Sequence, residues 1–394
     1  MRGVVGFAVG VLAVCSLACS NTSNPVADSR IERDVSVPPG AVPYATGIHA
    51  AALPAFDDPA LVVTAFNNIG EIVGDSNNPV TFGSTVFRWT AQRGFTFLHL
   101  PVDSFSMANA FSVNDGALVA IQLMKDVAVQ DQIVSAAIWN WQGDVKFLRP
   151  LGTGFNCFPE SINNSNVMVG TCYVPGDTDP MGSPSFPTIW SPSGTPVGLM
   201  AGGQPIQGTA TTISDAGYIA GQTSNAGYVF TPTKQLIALP PPNASIPNQN
   251  NTGVNDSGWV AGSVFDSVAL HDIPAVWIGH NDSLVDVYGR GRGSMTAISD
   301  DGIAVGSVED TVTGLQIPVI WTQANGLQRL PGLERSNLLA QETGAAGAIN
   351  QVHQILGTIV MSTGQRRVVM WSLPDTPTLQ AQIYFRHAAA DRPK

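Results

Sequence analysis

The chain has 394 residues, 44% of them hydrophobic and only 12% charged, with a formal net charge of −11 at pH 7. An average soluble domain is about 25% charged, and the acidic balance excludes the basic face that nucleic acids and anionic membranes require. Forty Gly and 28 Pro exclude a helical protein, while the supply of aromatic and branched residues excludes wholesale disorder, leaving a large, loop-rich, β-dominated chain.

In chain order, residues 1–19 come first, with an early cation (Arg2), an apolar run from Val4 to Val14 and small residues before Cys19. This is the pattern of a secretory signal peptide. Ser16-Leu17-Ala18-Cys19 resembles the lipobox of bacterial lipoproteins, in which the Cys thiol takes a diacylglycerol and anchors the chain to a membrane. The same residues also fit an ordinary cleavage site, which leaves Cys19 unmodified. Residues 20–43 are rich in Ser, Asn and Pro without apolar period and read as a flexible tether. The expected location is therefore outside the cytoplasm, either anchored at the outer membrane or extracellular.

From residue 44 the chain repeats. A short apolar strand ends in Asn or Ser, a tight turn follows, and a second apolar strand closes on Gly or Ala. The copies are FNNIGEIVG (66–74), VNDGALVA (113–120), INNSNVMVG (162–170), ISDAGYIAG (213–221), VNDSGWVAG (254–262), ISDDGIAVG (298–306) and INQVHQILG (349–357). After each comes one aromatic: Trp89, Trp139, Trp190, Phe230, Trp277, Trp321 and Trp371. A run ending in Leu follows most of them, so each unit supplies about four short strands. Units of about 45 residues with four strands are the period of propeller blades, and radial stacking covers faces that one blade cannot bury alone. The expected fold is all-β, a seven-bladed β-propeller of four-stranded antiparallel blades over 44–386, with a tail at 387–394. The aromatics are the expected wedges between blades. The last unit lacks its own fourth strand; the stretch 44–53 is favoured over 378–386 to supply it. Repeat two reads as one residue short, and repeat seven carries His353 where the others have Gly, so these two turns are expected to be the least regular.

The I-N-x-x-G-x-I-V-G pattern followed by apolar residues and Trp, as in IPAVW (273–277), FPTIW (186–190) and IPVIW (317–321), resembles the HAF-repeat family of secreted bacterial proteins, although the His-Ala-Phe tripeptide is absent. The resemblance covers nearly the whole chain beyond the signal. It implies an extracellular or cell-envelope repeat protein and carries no catalytic residues with it.

Cys157 and Cys172 flank the third turn as cross-strand neighbours in either of two registers, and an oxidising compartment favours a disulfide between them. The recurrent turn residues Asn67, Asn114, Asp115, Asn163, Asp215, Asn255, Asp256, Asp300 and Asp301 repeat in every unit, which favours turn chemistry over ion binding. Asp177 and Asp179 in PGDTDPMG (175–182) are spaced like the start of a calcium loop but lack its further ligands, and the six His show no ligand spacing. No metal site, cofactor or catalytic residue is therefore assigned.

Local function is expected where the repeats differ. The inserts 121–135, 173–187 and 308–317 lie between second and third strands; the connections 200–209, 240–251 and 288–294 lie between blades. Both classes open on one face, with Asp177, Asp179, Asp272, Arg290 and Arg292 as candidate binding residues. A non-catalytic binding or scaffolding propeller, a monomer meeting a protein or polysaccharide, is the leading expectation. The alternative is a glycan-acting hydrolase or lyase using Asp177, Asp179, Asp266, Asp272, Glu309 or Asp310.

Overall fold

A computed structural model of the chain describes residues 42–77, 84–99, 105–128, 131–175, 184–223, 226–239, 249–266, 269–279, 283–289, 291–333 and 342–374. Alternating apolar strands bounded by turn residues fold into seven four-stranded antiparallel sheets, each built from consecutive strands except the last. Blade 1 comprises Leu61–Phe66, Ile72–Asn77, Ser84–Thr90 and Gly94–Phe97. Blades 2 to 6 span 107–147, 156–198, 209–238, 249–286 and 293–329. Blade 7 takes three strands from 343–372 and its fourth, His49–Ala52, from the other end of the chain.

That fourth strand pairs antiparallel with Arg366–Ser372 and closes the ring. Its signature is the one found in the other blades. The residue after the fourth strand (Leu98, Leu148, Leu199, Leu239, Val287 or Leu330) donates its N–H back to the third strand, and Leu53 does the same to Val368 in blade 7. The same stretch also adds to blade 6, through the Tyr44–Arg329 bridge and the burial of Val42. The alternative closing segment, 378–386, lies outside the described residues.

Seven apolar clusters fill the seven blade seams, and each contains the third-strand aromatic of its later blade. Trp139, Trp190, Trp277, Trp321, Trp371 and Phe230 are at most 5% exposed. Trp89 is half-buried, and Phe56, on a short 3₁₀ turn (Pro54–Phe56), shares the seam with it at a ring distance of 5.2 Å. The indoles of Trp190 and Trp371 also donate to the carbonyls of Arg149 and Pro331 in the preceding blade, at 2.8 Å each. Burying such a ring removes about 200 Å² from water, which is why the position recurs.

Two features depart from the sequence reading. The turn of repeat two is of full length. Ala117 occupies the left-handed position (φ 57°) that Gly70 fills in repeat one, and His353 (φ 58°) fills it in repeat seven. Both turns make the same pair of backbone bonds as the others, so they are regular turns under strain. The insert 121–135 is a continuation of strands Val119–Ala128 and Asp131–Trp139, so it lengthens a hairpin instead of forming an open loop.

Every first strand also carries a β-bulge that the sequence did not reveal. The extra residues are Thr64, Phe111, Glu160, Thr211, Thr252, Thr296 and Gly347. The bulge explains why both proposed registers for the cysteines exist. Ile162 pairs with Met168 beside the turn, whereas beyond the bulge Cys157 pairs with Cys172, and the two are joined as a disulfide.

Candidate functional site

Antiparallel order sorts the connections into two ends. The turns between first and second strands lie at one end (the turn end), and the second-to-third hairpins and inter-blade connections lie at the other (the hairpin end).

At the turn end the repeated Asn does two jobs. Its Oδ1 accepts N–H groups of its own turn, as Asn163 does from Ser165 and Val167. Its Nδ2 donates to the next blade: Asn67 to the Asn114 carbonyl, Asn114 to Asn163, Asn163 to Ser214, Asn255 to Ser299 and Asn350 to Asn67, over 2.9–3.2 Å. An amide carries its acceptor and its donor on separate atoms, so one side chain serves its own turn and the next blade at once. Ser214 and Ser299 cap their own turns without making that reach. A second circle lies outside the first. Asn68, Asp115, Asn164, Ala216, Asp256, Asp300 and Gln351 donate N–H groups to side chains of Asp115, Asn164, Asp215, Asp256, Asp300, Gln351 and Asn68. The turn residues thus tie the blades to one another, a role beyond shaping the turns.

These circles rim a cavity of about 190 Å³ at the end of the central channel. Asp300 on this rim sits above the ordinary carboxylate range. Burial raises it, and the charges of Asp256, Asp215 and Asp301 add to the shift, against the N–H donated by Asp256. Asp301 lies 2.8 Å from Nε2 of His353 in the next turn.

At the hairpin end two acids of the enzyme alternative, Asp266 and Asp310, hold their own loops. Asp266 is buried and accepts the Ala269 N–H; Asp310 is buried and takes the Thr313 hydroxyl at 2.8 Å; Glu309 faces Arg292 at 3.7 Å with both exposed. Asp272 is half-buried, and burial raises its pKa against the pull of His271 and Arg292. Cys19, Asp177, Asp179 and Arg290 lie outside the described residues, as do the signal and nearly all of the tether. Several large apolar side chains are exposed at this end: Ile133, Val174, Met200, Val312 and Leu270, the last 75% exposed. Among the described residues, Ile69 is the large exposed hydrophobic of the turn end, and most others lie on the outer rim. No group of three or more His, Cys, Asp or Glu among the described residues is placed to hold a metal.

One buried polar unit escaped the sequence reading. Glu71 and Arg88, 1% and 2% exposed, form an ion pair in the seam between blades 1 and 2. Arg88 also donates to the carbonyls of Asn140 and Ala117 and lies 5.0 Å and 4.5 Å from the rings of Trp139 and Trp141. Burial raises Glu71 and lowers Arg88, and each partner's charge opposes the other's shift. The two occupy positions that blade 2 fills with Leu118 and Ile138. A charge in two apolar slots was the available signal.

No family model matches the chain, and no curated protein matches it. Solved structures do. A puromycin hydrolase is 12% identical with a TM-score of 0.51, covering 83% of this chain and 56% of its own. A prolyl endopeptidase is 10% identical with a TM-score of 0.51, covering 84% and 47%; this chain thus spans about half of each. The virginiamycin B lyase of Staphylococcus aureus is 10% identical with a TM-score of 0.44, covering 83% and 99%. At such identities the likeness is one of fold.

Proposed function

We propose that the protein is an exported, non-catalytic binding propeller that meets a protein or polysaccharide partner at its hairpin end. The observation that carries this reading is the asymmetry of the two ends: among the described residues Ile133, Val174, Met200, Leu270 and Val312 stand exposed at the hairpin end, on blades 2, 3, 5 and 6 and the connection between blades 3 and 4, against Ile69 at the turn end. Asp266 and Asp310 support it by binding their own loops. Export accords with the Cys157–Cys172 disulfide, which persists in oxidising compartments, and with residues 1–19, whose Cys19 we assign as the lipid attachment site. The repeat motif supports placing the chain with the HAF-type proteins.

The test measures retention of the purified chain on isolated envelopes of the source cells, fractionated into protein and polysaccharide. A Leu270→Ser/Val312→Ser variant should fold normally and be retained at least about tenfold less. Equal retention of variant and parent would remove the assignment.

A further inference from the structure

The outer rim of the ring is made of the fourth strands and the turns that lead into them, and charge is spread unevenly along it. In blades 1 to 3 these segments (88–99, 140–151 and 190–199) hold Arg88, Arg93, Lys146 and Arg149 against one acid, Asp144, although the whole chain has a net charge of −11. Arg88 is buried against Glu71, and the other three cations are exposed. Asp144 is engaged within its own turn, where Asn140 Nδ2 donates to it at 3.0 Å. The matching segments of blades 4 to 6 (230–239, 277–287 and 321–330) hold Lys234 and Arg329 against Asp282 and Asp286.

Strand alternation sends Lys146 and Phe147 to opposite sides of Val145–Phe147, the edge strand of blade 2. Lys146 lies over blade 3, where Nζ donates to the Pro192 carbonyl at 3.1 Å, and beside it Arg149 donates to Thr195 Oγ1 at 2.6 Å. An ammonium has three N–H donors and a guanidinium five, so each keeps donors for a ligand. The hydroxyls of Ser191, Ser193 and Thr195 bond in a row and continue that polar surface. On the other side Phe147 is 51% exposed and stacks on Phe105 at 5.5 Å, beside the seam between blades 1 and 2. Arg93 lies over the Trp141 ring at 3.9 Å across the same seam. Cations and an exposed ring face thus share one strip. Carboxylate and sulfate groups form charge-assisted bonds with such cations, and the C–H groups of a sugar ring pack on the electron-rich face of an aromatic ring. A chain of acidic sugars offers both at regular intervals, whereas a neutral glycan leaves the cations unmatched.

We propose that the outer rim of blades 1 to 3 binds an acidic polysaccharide that crosses the edge strand of blade 2. Lys146 and Arg149 take its anionic groups, Phe147 takes the face of a sugar, and Arg93 extends the strip towards blade 1. This surface is distinct from the hairpin end and does not rest on the reading of that end.

The test measures retention of the purified full-length chain on immobilised polygalacturonate, with dextran as the neutral polymer and phosphatidylglycerol vesicles as an anionic membrane. The parent should bind polygalacturonate and lose at least about tenfold in affinity between roughly 0.05 and 0.3 M salt, because exposed charges are screened. Dextran and the vesicles should not retain it. Lys146→Gln/Arg149→Gln and, separately, Phe147→Ser should each weaken retention at least about fivefold. Both change exposed side chains, so the fold is kept. Arg292→Gln and the Leu270→Ser/Val312→Ser variant, altered at the hairpin end, should bind as the parent does. No retention of the parent at low salt, unchanged retention in either blade 2 variant, binding to dextran or vesicles in place of polygalacturonate, or loss in the hairpin-end variants would overturn the proposal.

Discussion

The two ends of the ring are made of the same repeats and treat them differently. At the turn end each blade contributes the same few residues, and these bond to their counterparts 40–52 residues later, one repeat on. At the hairpin end the blades diverge in length, from the short Gln222–Gly227 link to the long hairpin of blade 2. There Asp266 and Asp310 hold their own loops, cross-blade bonds such as Asn156 to the Gln132 carbonyl and Thr343 to the Gln316 carbonyl are particular to one seam and do not recur around the ring, and apolar side chains face outward. A repeat protein can keep one end uniform to close the ring and leave the other free to vary, because antiparallel order sends the two sets of connections to opposite ends.

The comparison can be broken first at the seams, which belong to neither end. Trp190→Ala should cost about 3–5 kcal/mol in denaturant unfolding. Arg88→Ala should cost about as much, because Glu71 is left buried and unpaired. The double change Glu71→Leu/Arg88→Ile, which installs the pair of blade 2, should be near neutral or stabilising by up to about 4 kcal/mol. A double variant as damaged as the single one would show that the ion pair does more than fill two slots.

Asp75 tests the wall between the ends. It accepts the Ala110 N–H across the first seam, and burial pushes its pKa to about 7, against that hydrogen bond. The ionised form is therefore disfavoured in the folded state. Its contribution to stability is greatest below about pH 4 and falls as pH rises towards 7. Asp75→Asn should remove that slope and stabilise the chain by about 2–4 kcal/mol at pH 8, measured by unfolding at several pH values.

At the turn end, Asn163→Asp keeps an acceptor but loses the donor to Ser214, at a cost of about 1–3 kcal/mol. Ala117→Gly should be worth up to about 1 kcal/mol in the other direction by relieving the left-handed backbone. Both are read as shifts in the denaturant midpoint at constant m.

Much of this fold was legible because its marks recur. One Trp per unit, one Asn before each turn and one Leu after most of the fourth strands are periodic, and a period survives without coordinates. Even ring closure was readable, since the last unit lacked a strand and YATGIHAAAL could supply one with its own Leu53. The bulge was not legible, because it depends on backbone geometry and no single residue type holds it: Thr, Phe, Glu and Gly all serve. The apparent shortness of repeat two came from expecting Gly at the left-handed position, where Ala117 stands. The amide reach between blades was hidden because an Asn that caps its own turn already has a sufficient local reason to be there. Glu71 and Arg88 lie 17 residues apart, and nothing in either motif announces the other.

The contrast between the ends is tested most directly by site-resolved hydrogen exchange on the parent chain. The amides of Asn68, Asp115, Asn164, Asp256, Asp300 and Gln351 should exchange with the slow, global unfolding of the ring, and those at the tips near Leu270 and Val312 with fast local opening. Rim amides that exchange as fast as the hairpin tips would mean that the blades are not fastened there, and the assignment of one end to closure and the other to binding would fail.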